Sequence, residues 1–321
     1  MTEAALGIGD LKMEDRRLKI LLLGNGILQS FGGESWNEFL SSICKREDLP
    51  SPDKINCPEP LKAILLTGDR VDKAMKEKCD KILANQEISE ELAKFLKEIL
   101  SIGFDHILTT NYTYELEQAA IYPKKLTEYG LKRMATCTIG AVEPKYLLHT
   151  YNAVTCNGIA NKIWHVHGES RKPGSTILGH YYYGNSLFKI KETVDKVRKP
   201  ESEIELKSWP EAFLFADIYC IGFGYGLSEF DLWWLLNRKA RENYNTGRLY
   251  FYEPYSRSQW EKLDLMKLLK ARDDEMLVNI IDLGYNKDNG IDWKSFYLEA
   301  IDDIKEKISA KDSVNKELIL V

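Results

Sequence analysis

Four stretches of this chain carry groups able to do chemistry. They are the glycine pair Gly24-Asn25-Gly26, the run Thr109-Thr110-Asn111-Tyr112-Thr113, the histidines His165 and His167, and the cluster Gly222-Phe223-Gly224-Tyr225-Gly226. An imidazole titrates near neutrality and suits proton transfer. A side-chain amide donates and accepts at once, which suits orienting a polar reactant. Glycine lets backbone approach a phosphate or a flat ring closely. Each stretch directly follows an apolar run of strand length, and in open α/β sheets ligands gather just beyond the carboxyl ends of the strands.

Read singly, each stretch has a plainer alternative. Gly24 and Gly26 would cradle a pyrophosphate or simply make a tight strand-to-helix turn; Gln29 stands where a GxGxxG dinucleotide fingerprint would want a third glycine. In the second stretch Thr113 fits a helix cap, whereas the Asn111 amide beyond the strand is left free for a polar ligand. His165 and His167 would share one face if the strand continues, which raises a metal reading, but no carboxylate or cysteine adjacent in sequence completes a set of three ligands. After the last glycine cluster, Ser228-x-x-Asp231 reads as a capping box that opens a helix. Six apolar residues of that helix, Phe230, Leu232, Trp233, Trp234, Leu235 and Leu236, point to deep burial or to contact with another subunit.

The elements that must position these residues follow from periodicity. Apolar runs at 18–23, 104–109, 162–166, 217–221, 248–252 and 277–283 predict strands, mostly continuous in apolar character as expected for strands covered on both faces. Helical spacing at 88–103, 257–272 and 292–308 falls between them or after the last. The alternation predicts an α/β fold, Rossmann-like and doubly wound around a mostly parallel sheet. The polar, glycine-punctuated stretches at about 121–160 and 170–210 break the rhythm and are expected to form a small helical subdomain or lid. The whole of 1–321 reads as a single domain.

Composition narrows the function classes. The chain has 321 residues, 44% hydrophobic and 29% charged, which is too rich in core-forming residues for disorder. A formal net charge of -5 without long basic runs disfavours direct nucleic-acid binding. No signal peptide or membrane span is visible, which predicts a cytoplasmic address. Cys44, Cys57, Cys79, Cys137, Cys156 and Cys220 are scattered with no CxxC pair, against a zinc ribbon or a disulfide framework.

The order of the four stretches is more specific than any one of them. Over roughly residues 18–283 it resembles the Sir2 (sirtuin) superfamily, and more closely the bacterial SIR2-like NAD-consuming proteins of anti-phage defence. Gly24-Asn25-Gly26 stands where sirtuins carry GAG, Thr109 to Thr113 where they carry TQN-x-D, and His167-Gly168 where they carry the catalytic His-Gly. The resemblance implies that Asn111 orients the nicotinamide ribose or an attacking water and that His167 is the acid/base residue. It makes Gly24, Asn25, Gly26, Thr110, Tyr112, Gly222 and Gly224 cofactor contacts. Thr113 replaces the motif's aspartate, and the paired zinc cysteines of protein-deacylating sirtuins are missing. The resemblance therefore implies hydrolysis of NAD+ to nicotinamide and ADP-ribose without a metal, by an effector controlled through self-assembly or a separate protein partner. Deacylation, ADP-ribosyl transfer and binding without turnover are the alternatives.

Overall fold

The computed structural model describes residues 17–319 except 69, 85–86, 128–129, 131–133, 140–144, 198–205, 243–245 and 273. Eight strands join in one sheet: β1 (Lys19–Leu23), β2 (His106–Thr109), β3 (Thr136–Thr138), β4 (Thr150–Cys156), β5 (Ile159–His165), β6 (Asp217–Ile221), β7 (Leu249–Tyr252) and β8 (Val278–Ile281). Their order is β3-β4-β5-β2-β1-β6-β7-β8, parallel from β5 to β8 and antiparallel at the β3-β4-β5 end. The helices are α1 (Gly26–Ser30), α2 (Trp36–Ile43), α3 (Glu59–Thr67), α4 (Val71–Ala84), α5 (Glu90–Leu100), α6 (Glu115–Ile121), α7 (His180–Val194), α8 (Trp209–Phe215), α9 (Phe230–Ala240), α10 (Trp260–Lys267) and α11 (Trp293–Ile319).

The period-2 geometry of the strands divides their side chains between two cores. Ile20, Leu22, Leu108, Trp164, Ile218 and Phe251 face α7, α8, α9 and α10. Leu21, Leu23, Ile107, Ile163 and Ile221 face α1, α5, α6 and α11. Both faces of the central strands are thus covered, which is why their sequences are apolar on consecutive positions between polar ends such as Lys19, His106 and Asp217. A third, smaller core lies among α2, α3 and α4, around Phe39, Leu40, Leu66 and Met75, and it also takes in Tyr112.

All six predicted strands form, and two more appear where an irregular helical insertion was expected. Part of 121–160 is the antiparallel extension β3 and β4, and the small helical layer comes instead from residues 36–84. The physical reason is visible in β4, whose buried positions include the polar Thr150 and Asn152. A strand that turns polar side chains inward shows no apolar alternation. The stretch 170–210 contributes α7 and the start of α8, both packed on the sheet; 198–205 lies outside the described residues.

From β1 the chain crosses to β2 with α5 on one face; from β6 it crosses to β7 with α9 on the other. The loops after these neighbouring strands therefore run to opposite sides, and a crevice opens between them at the carboxyl end of the sheet.

Candidate active site

That crevice is a pocket of about 780 Å³. Its floor is a clasp between two loops. Gly24 N–H donates to the Ile221 carbonyl at 3.1 Å, and Gly26 N–H to the Gly222 carbonyl at 2.7 Å. A Cβ on Gly24 would lie 2.4 Å from Phe223 Cα, and one on Gly26 would lie 2.7 Å from the Tyr297 hydroxyl. Close packing of backbone on backbone thus accounts for both glycines. Gly24 does not reach the pocket wall, whereas Gly26, Gly222 and Gly224 do. Helix α1 is a single turn and offers little dipole to an anion. The Asn25 side chain is engaged, its amide donating to the Glu34 carbonyl at 2.8 Å.

The loop after β2 supplies the next wall. Thr110, Asn111, Tyr112 and Thr113 all line the pocket. Among the described residues the Asn111 side chain makes no hydrogen bond; its main chain is fixed instead, the N–H by the Thr109 hydroxyl and the carbonyl by His165 Nδ1 at 2.8 Å. Tyr112 is chiefly structural: its hydroxyl donates to the Ile177 carbonyl at 3.0 Å and its ring packs on Phe39. Thr113 is not the cap expected of it. Tyr114 occupies the position before α6 and no side chain caps the helix. Thr113 bonds Glu115, a pocket carboxyl whose pKa burial raises against that hydrogen bond.

The two histidines diverge. β5 ends at His165, and the chain then turns sharply at Gly168, whose φ of +94° and whose would-be Cβ contact, 2.3 Å from the Ser175 carbonyl, admit only glycine. His165 Nε2 meets Glu117 at 3.0 Å inside a buried network that continues through Asn152 to Glu169 and Arg171. His167 lines the pocket, with Nε2 3.3 Å from Asp231 Oδ2 and 3.8 Å from Glu229 Oε2. The 3.3 Å approach is not aligned as donor and acceptor, and the buried Nε2 makes no hydrogen bond among the described residues. Burial alone would favour neutral His167, but the Asp231 carboxylate, with Glu229, outweighs it and holds the imidazole pKa above its ordinary value. Burial raises Glu229 in turn, opposed by His167.

Glu229 and Asp231 are the residues that sequence reasoning missed. The Ser228-x-x-Asp231 spacing imitates a capping box, yet α9 starts after Glu229 without a side-chain cap. Asp231 points inward, accepting from the Leu232 N–H at 2.9 Å and the Ser186 hydroxyl at 3.4 Å. Glu229 accepts from the Tyr183 hydroxyl at 3.1 Å. The signal in the sequence was an acidic pair at the start of a helix whose first two turns are otherwise apolar. That helix is also less buried than expected: Leu232, Leu235 and Leu236 are enclosed, but Phe230 is exposed and Trp233 and Trp234 are half-buried.

The far end of the pocket is polar. Buried Glu253, just past β7, takes ion pairs from Lys262 at 3.3 Å and from Lys287 at 2.5 Å. Lys262 also donates to the Gly224 carbonyl at 2.7 Å, and burial lowers its pKa against the pull of Glu253. Trp293 and Tyr297 of α11 close this end with aromatic surface. The pocket thus offers an amide, an imidazole with carboxylates, and a distal aromatic and charged recess in one continuous space. No protein-family model matches the chain and no curated protein matches it, so the chemistry of the pocket has to be argued from this geometry.

Proposed function

We propose that the chain is an NAD+ hydrolase, cleaving the nicotinamide-ribose bond to give nicotinamide and ADP-ribose. The observation that carries the reading is the convergence on one pocket, at the carboxyl ends of the strands, of buried His167 and of the Asn111 amide, which makes no hydrogen bond among the described residues. The Rossmann-like doubly wound reading of the α/β fold belongs with it, since such a sheet presents a dinucleotide-sized crevice at the same place.

The chemistry needs few parts. As the C1'–N bond breaks, its electron pair leaves with nicotinamide and positive charge develops on the ribose. The Asn111 amide orients a water whose oxygen bonds C1'. One proton of that water passes to His167, whose basicity the Asp231 carboxylate raises. The loops at Gly26 and Gly222 to Gly226 lie along the phosphates, and the recess of Glu253, Trp293 and Tyr297 takes the adenosine end. Glu115 puts a carboxyl on the wall where Thr113 replaces the sirtuin aspartate. No metal is called for in this sequence of steps.

In a cell such an activity depletes NAD+, which fits an effector of anti-phage defence held in check by self-assembly or a protein partner. Incubation of the purified protein with NAD+, with and without an acetylated peptide, tests the reading. Nicotinamide should appear without the peptide. Release that requires the peptide would make the protein a deacylase, and a melting shift with NAD+ but no release would make it a binding subunit.

A further inference from the structure

His167 follows β5, and Glu229 and Asp231 stand at the start of α9 about sixty residues later; one ligand atom from each lies within 4.8 Å of the others. In a tetrahedral site with metal-ligand distances of about 2.0–2.2 Å, neighbouring donor atoms are about 3.4 Å apart. The Nε2 separations of 3.3 Å to Asp231 and 3.8 Å to Glu229 bracket that value. Two carboxylates and a nearby imidazole would alone be an ordinary electrostatic cluster. A second feature points to a ligand: His167 is 3% exposed, its Nε2 is turned toward both carboxylates, and yet it makes no hydrogen bond among the described residues. Its two carboxylate contacts are ion-pair approaches without an aligned hydrogen bond, and a bound cation would satisfy that buried nitrogen.

The surroundings are those of a site with an open position. Tyr183 donates to Glu229 and Ser186 to Asp231, which orients both carboxylates as outer hydrogen bonds orient metal ligands. Glu229 and His167 border the pocket while Asp231 is fully enclosed behind them, leaving the fourth position directed into the space where substrate would lie. One nitrogen and two oxygens at fixed spacing suit zinc and its neighbours better than magnesium, which keeps an octahedral shell of oxygen and water.

We propose that His167, Glu229 and Asp231 form a site for one divalent cation of the zinc class, and that its occupancy stops turnover. The second half rests on the NAD+ hydrolase reading; the first does not. The cation takes the lone pair of His167 Nε2 that proton transfer requires, so metal-bound and active states exclude one another.

Calorimetric titration of the full chain with zinc chloride, after treatment with a chelator, tests the site. One equivalent should bind in the wild type and be lost, or weakened by about tenfold or more, in the Glu229→Gln/Asp231→Asn double variant and in His167→Gln. Retention of that equivalent in the variants would overturn the site and assign the zinc elsewhere, as to partly exposed thiols such as Cys57. Circular dichroism melting checks that each variant folds; where one does not, the other decides. Equal binding of magnesium would overturn the zinc-class assignment. In parallel, nicotinamide release should fall at least about tenfold at saturating zinc and return with chelator. Release that needs zinc would overturn the inhibitory half. If the wild type never releases nicotinamide but still binds one equivalent through these residues, the hydrolase reading fails and the cation site stands.

Discussion

Gly24, in the clasp beneath the pocket, and Gly224, on its wall, are under opposite demands. A methyl on Gly24 would collide with the backbone of Gly222 and Phe223, whereas around Gly224 nothing lies within 4 Å. Gly24→Ala should therefore destabilise the protein by about 3 kcal/mol, and Gly224→Ala should leave stability within about 0.5 kcal/mol while narrowing the pocket. Urea denaturation of the two variants checks this. His167→Ala should lower nicotinamide release by about a hundredfold or more with NAD+ binding largely retained, as read by calorimetry beside a turnover assay. Unchanged turnover would assign the proton transfer elsewhere. Positions such as Asn111 and His167 stand out in sequence because polar residues that interrupt an apolar run at a strand end have few structural uses. Asp231 did not stand out, since its spacing from Ser228 mimics a cap and only the fold turns its carboxylate onto His167.

At the scale of elements, Lys239 in the last turn of α9 ties helix to sheet. Its buried ammonium donates to the carbonyls of Phe213 at 3.2 Å, Leu214 at 3.0 Å and Ala216 at 2.7 Å, and also to that of Thr246. The first two are end-of-helix carbonyls of α8, which have no intrahelical partner. Lys239→Met would strand all of them and should cost about 3 kcal/mol in urea unfolding. His106 at the start of β2 couples the sheet to pH. Burial, and then the nearby Lys162, lower its pKa to about 4, and its Nδ1 accepts from the Trp164 indole at 3.1 Å. The unfolded chain takes up a proton near pH 6.5 that the folded chain refuses until about 4, so stability is lost as pH falls through this window. Between pH 7 and 5 the loss from this group should be about 2 kcal/mol. The difference in denaturation midpoints should shrink in His106→Gln, whose amide can still accept from Trp164. The central strands were legible because both of their faces are apolar. β4 was not, because Asn152 faces the charged network around Glu117, Glu169 and Arg171 and the buried Thr150 hydroxyl pairs with that of Thr138.

For the molecule as a whole, several large apolar residues are exposed. Tyr181 and Phe188 on α7 are 69% and 57% exposed, and Leu227 and Phe230 beside the pocket are 56% and 42% exposed. Exposed apolar side chains of this kind are candidate contacts for a second copy or a regulatory partner. If assembly controls the activity, turnover per molecule should rise or fall with protein concentration in step with the sedimentation coefficient; a specific activity constant across the association range would count against it. Among the described residues, no helix is long and apolar enough to cross a membrane. The sheet adds a consequence of its own. Its margins are β3, with three residues, and β8, with four, both too short to template much further pairing. The described edges thus offer little backbone for further pairing, and concentrated protein should yield discrete particles of finite size, not thioflavin-binding filaments grown strand upon strand.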